Sequence, residues 1–85
     1  MPYISVSDRD KYAMLEGEIE RTKIEEKGDL EYLVFLLMKN FMRTRESRYS
    51  TLHDCTYAVQ HASDEFRRRY LDIREDSALL ENGDV

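Results

Sequence analysis

LEYLVFLLMKNFM, residues 30–42, is apolar on almost every face of a helix. Leu30, Leu33, Val34, Leu37 and Phe41 recur at three- and four-residue spacing and form one stripe. Tyr32, Phe35, Leu36, Met38 and Met42 cover most of the remaining circumference. A helix apolar nearly all round must be covered nearly all round. Two partner helices in a chain of 85 residues cannot do that. The stretch therefore predicts a homo-oligomer, with the second face of this helix packed against another copy. The competing arrangement is a tight monomer with this helix threaded between two others.

Outward from this stretch, the chain reads as helix throughout. It holds three glycines and one proline, too few for the turns of a sandwich or barrel. Ser7 is placed to cap a first helix over about residues 8–27, with Asp8 and Asp10 at its positive end. Tyr12, Leu15, Ile19 and Ile24 mark its apolar side, and Gly28 is placed to stop it. Asp29 then reads as the cap of a second helix, residues 30–44. The polar, basic RTRESRYS reads as a loop, and Ser50 as the cap of a third helix over about 51–71. Leu52, Cys55, Val59, Ala62 and Phe66 form its core-facing stripe. The tail, 72–85, predicts a short helix around Asp76 to Leu80, ended by Asn82 and Gly83. The expected fold is all-α: a small three-helix unit in a single domain, with a short C-terminal helical tail.

One cysteine, Cys55, excludes an internal disulfide framework and any multi-cysteine zinc site. Its place on an apolar stripe makes it an inert small hydrophobe. No segment approaches the roughly 20 apolar residues needed to cross a bilayer. The start, MPYISVSDRDKY, lacks the basic and apolar regions of a signal peptide. These features predict a cytoplasmic protein with no membrane partner.

The formal charge is −5, which opposes general nucleic-acid binding. The charge is uneven. Residues 39–70 hold Lys39, Arg43, Arg45, Arg48, Arg67, Arg68 and Arg69 against Glu46, Asp54, Asp64 and Glu65, a local net of +3. A locally basic stretch in an acidic chain suits a discrete anion better than a polymer.

Within DEFRRRY, residues 64–70, the three arginines splay around the helix and cannot all grip one anion. Arg68 lies one turn after Asp64 and Arg69 one turn after Glu65, so solvated ion pairs explain part of the cluster. A ligand site needs further charge from Arg45 and Arg48, or from a neighbouring subunit. His53, Tyr57, His61 and Glu65 fall on one stripe. No second cluster completes a metal shell, so this is a polar, aromatic wall or a plain solvated face. Tyr3, Tyr49, Tyr57 and Tyr70 sit in or beside polar segments. Arginine with tyrosine grips flat anions, the guanidinium on phosphate and the ring on a base. No nucleophile elbow, phosphate loop or cofactor motif is present, so no catalytic residue and no cofactor are expected.

The opening MPYI, a basic residue at Arg9, Gly28-Asp29-Leu30-Glu31-Tyr32, Tyr49, the run Glu65-Phe66-x-Arg68-Arg69 and the ending Glu81 to Val85 carry a resemblance. With these motifs the chain resembles, end to end, a family of small uncharacterised proteins of bacteria and their phages. Arg48 stands where that family has Asn, Tyr57 where it has a small residue, and Ile73 where it has proline; Arg67 falls outside its motif. The layout is also similar in pattern to phage proteins that sequester cyclic-nucleotide signals of host defence (the anti-CBASS and anti-Thoeris type). Those are small helical oligomers with an arginine-rich pocket between subunits and a helix starting Ser-x-x-Leu; Ser50 to Leu52 gives Ser-x-Leu.

Together these readings predict a non-catalytic phage protein that sequesters a nucleotide-like anion, such as a cyclic oligonucleotide, at a subunit interface. Tyr3, Arg9, Arg45, Arg48, Tyr49, Glu65, Arg68 and Arg69 are the expected ligand-binding residues. The alternative is a module that docks on a host defence or transcription protein through its acidic first helix.

Overall fold

A computed structural model describes residues 2–85, and every element in it is helical. The chain starts with a short helix α1, Val6–Arg9, then a 3-10 turn, Asp10–Tyr12, and α2, Ala13–Arg21. An extended link leads to α3, Lys27–Met42, and a short loop to α4, Tyr49–Phe66. A widened turn, Arg67–Leu71, joins α4 directly to α5, Asp72–Asn82.

The first helix expected over 8–27 is two short helices with a 3-10 turn between them. Its cap is Ser5 rather than Ser7: the Ser5 hydroxyl accepts from the Asp8 N–H at 3.3 Å. It ends at Arg21 because Thr22 turns extended, with its hydroxyl donating to the Glu18 carbonyl at 2.6 Å. A hydroxyl that competes for backbone partners and a β-branched side chain both weaken helix at that point. Gly28 does not stop a helix; it lies in the first turn of α3. Asp29 does not cap that helix by position either. Its carboxylate reaches back to accept from the Glu26 N–H at 3.0 Å, one half of a capping box.

The boundary expected near residue 71 is not a break. No glycine or proline occurs between Tyr49 and Asn82, so nothing in the covalent chain interrupts α4, the widened turn and α5. They run as one rod. At 1.5 Å per residue it measures about 50 Å, the longest dimension of the molecule, 50 Å. It stops at Gly83, whose φ of 84° is a conformation side-chain-bearing residues rarely adopt. Likewise α4 starts two residues early, at Tyr49. Ser50 is inside it, and the Thr51 hydroxyl accepts from the Arg48 N–H at 3.1 Å.

α3 and α4 form an antiparallel hairpin with Val34, Met38 and Phe41 turned to the seam. Cys55 sits at its centre, 5% exposed, with its thiol donating to the Met38 carbonyl at 3.6 Å. Among the described residues it alone is buried. Phe35, Leu36, Leu37 and Tyr32 remain exposed on α3, and so do Met14, Leu15 and Ile19 on α2. The single chain is correspondingly open. Its radius of gyration is 16.5 Å, against about 12 Å for a compact chain of this length. Its surface is 8005 Å², about 2,700 Å² above the roughly 5,300 Å² of a folded monomer of this mass.

Candidate functional site

The eight residues expected to bind a ligand separate into two groups at opposite ends of α4. Arg48 precedes its first residue and Arg68 follows its last, so about 30 Å of helix divides them. No single site in one chain holds both.

At the far end, Tyr3 crosses from the N-terminal arm. Its hydroxyl donates to Glu65 Oε1 at 3.3 Å and accepts from Arg69 Nη1 at 3.1 Å. Arg68 donates to the same Glu65 oxygen through Nε at 3.0 Å and through Nη2. The Arg68 hydrogen bonds hold the Glu65 carboxyl below the usual glutamate range; partial shielding opposes this, and the Arg68 charge and the Tyr3 hydroxyl reinforce it. The same partner raises Arg68 further. Arg67 lies 3.9 Å from Asp64 and 3.8 Å from Asp72. The expected four-residue pairs, Asp64–Arg68 and Glu65–Arg69, are replaced by the three-residue pairs Asp64–Arg67 and Glu65–Arg68. Residues three and four apart are both neighbours on a helix, so either pairing is open to these acids; the widened turn, in which the Asp72 N–H closes on the Arg67 carbonyl five residues back, begins only where these pairs end. Arg67, Arg68 and Arg69 thus stand among Asp64, Glu65 and Asp72, with no net charge. The arrangement works as a latch for the arm. Arg9 serves the same arm, donating to the Ile4 carbonyl at 3.0 Å.

The near end, the α3–α4 loop, is different. Lys39, Arg43, Arg45 and Arg48 meet only Glu46, a net of +3 over residues 39–49. The whole excess of the basic stretch therefore resides here. Arg45 lies 3.6 Å over the Phe41 ring and donates to the Phe41 carbonyl. Arg48 Nε is 2.5 Å from Glu46. The first turn of α4 carries no acidic residue, so its positive dipole end adds to the field. Tyr49, 82% exposed, starts an aromatic ladder along α4. Its ring is 5.6 Å from His53, His53 stacks on Tyr57 at 4.1 Å, and Tyr57 meets His61 edge-on at 6.1 Å. A shallow depression of about 240 Å³ runs between Tyr49, Leu52, His53, Thr56 and Tyr57. Cationic groups beside flat, accessible rings can hold a phosphate and stack a base. Sequence reasoning counted Arg43 as charge without placing it at a site; a charge count confined to the loop singles it out.

Among the described residues, no group of three His, Cys, Asp or Glu side chains is arranged to hold a metal ion, and no helix is long and apolar enough to cross a membrane.

These features describe an open, all-helical chain with a latched arm and one basic, aromatic end. A family model described as a domain of unknown function (DUF6899) matches residues 1–85, and the chain belongs to that family. No curated protein and no solved structure matches it.

Proposed function

We infer that this is a non-catalytic binding protein, working as a homo-oligomer, that takes a nucleotide-like anion at its basic end. The observation that carries the reading is the charge partition: the arginine triplet is neutralised by its own neighbours, while the last turn of α3 together with the α3–α4 loop keeps a net +3 beside exposed rings. Arg43, Arg45 and Arg48 hold phosphate, and Tyr49 with His53 stacks on the base. Sequestration of a cyclic oligonucleotide signal, as a phage would use against host immunity, is the role that fits such a site. Self-association is supported by the exposed apolar face of α3 and by the surface excess.

Thermal unfolding with a panel of cyclic di- and trinucleotides tests it. A bound member at 100 times its Kd adds about 2.7 kcal/mol. Arg45→Ala with Arg48→Ala removes that gain, whereas Arg68→Ala leaves it. A flat response to the whole panel rejects the reading.

A second reading rests on α2, which has no buried residue and exposes Glu16, Glu18 and Glu20. An acidic helix standing clear of the hairpin is suited to docking on a basic surface of a host defence or transcription protein. Co-purification of one host protein, abolished by reversing those three charges, supports docking over sequestration.

A further inference from the structure

An apolar depression of about 570 Å³ runs along one side of the α3–α4 seam. Leu30, Val34, Phe35, Met38, Val59 and Phe66 line it, and no residue of α2 does. The same chain carries a helix face of matching character that is also uncovered. Tyr12, Leu15 and Ile19 follow one another at three- and four-residue spacing, and Leu15 and Ile19 are 47% and 51% exposed. Both ends of the arm lie by the mouth of the groove. Tyr3 is held beside Phe66 by Glu65 and Arg69, and the link before α3 ends at Glu26, one turn from Leu30.

We propose that the α1–α2 arm of one copy fills the α3–α4 groove of a second copy, and reciprocally, giving an arm-exchanged dimer. The proposal rests on the self-association in the reading above and specifies what covers the groove. The areas favour exchange over a flat contact. A standard interface removes roughly 800 Å² from each partner, well short of the surface excess of about 2,700 Å². Exchange covers two exposed apolar surfaces of each chain at once, the arm's stripe and the groove. Two reciprocal arms also satisfy a two-fold axis, so the assembly closes instead of growing into a fibre.

Single-cysteine chains in a Cys55→Ser background test this. Ile19→Cys places a thiol on the arm and Phe35→Cys one on the groove wall, both at positions already at least half exposed. The two variants are unfolded together, refolded and oxidised, and disulfides are assigned by peptide mass spectrometry. The expected result is a 19–35 link between chains, at a yield roughly tenfold above a control pairing Phe35→Cys with Leu80→Cys on α5, because docking raises the local thiol concentration. Ile19→Asp is expected to weaken the dimer roughly a hundredfold. A 19–35 link that forms only within a chain, in the double variant, overturns the proposal in favour of an arm folded back on its own hairpin. A dimeric mass with no 19–35 link overturns arm exchange and leaves self-association standing; a monomeric mass overturns both.

Discussion

Glu65 ties the N-terminal arm to α4, with one oxygen accepting from Tyr3 and twice from Arg68. Its side chain is 11% exposed while that of Arg68 is 68% exposed, so water screens the pair from one side only. The depressed carboxyl has a definite consequence for pH. A group whose folded pKa lies below its unfolded one stabilises the fold above the ordinary glutamate range, and that contribution is lost as pH falls through the depressed value. In a carboxyl-carbon NMR titration, Glu65 is therefore expected to protonate below the ordinary glutamate range. Amide exchange at residues 4–9 should quicken as it does so, because protonation releases the arm. Glu65→Gln should abolish that pH dependence. A Glu65 midpoint within or above the ordinary glutamate range would contradict the latch.

At the scale of elements, the helical character of α3 and α4 was legible because apolar periodicity over four or more turns outweighs local exceptions; of the expected α4 stripe only Cys55 is buried and Val59 half-buried, while Leu52, Ala62 and Phe66 stay exposed. The helix stop at Thr22 was not. The pattern Tyr12, Leu15, Ile19, Ile24 continues past it, and only the local hydroxyl and backbone geometry decide the break. The rod from Tyr49 to Asn82 was underestimated for the opposite reason: polar composition in DIREDS reads as a tail, yet nothing in it breaks a helix. Of the arginine cluster, charge spacing made legible that the acids pair with the arginines, but not the pairs themselves, which run at three residues instead of four. The role of Tyr3 depends on a contact 62 positions away, and the division into two ends follows from helix length. Met38 tests the hairpin. It is only half-buried, yet it touches the α4 stripe and its carbonyl accepts from the Cys55 thiol. Met38→Ala should lower stability by about 1–2 kcal/mol, less than the 2–5 kcal/mol of a fully buried site. Urea unfolding checks this; an unchanged midpoint would mean that the hairpin seam is not where the chain holds together.

For the whole molecule, the decisive quantities are the 16.5 Å radius and the 8005 Å² surface. If a little over half of the roughly 2,700 Å² excess is apolar, as on an ordinary protein surface, covering it is worth roughly 40 kcal/mol at about 25 cal/mol per Å², an upper bound that conformational entropy offsets. The proposed second copy would also account for apolar residues on every face of residues 30–42, when one hairpin seam needs a single stripe. The most direct measurement is sedimentation equilibrium at micromolar concentration. The proposed self-association predicts a species of at least twice the 10.2 kDa chain mass. A single 10.2 kDa species with a solution radius of gyration near the compact value of about 12 Å would contradict it.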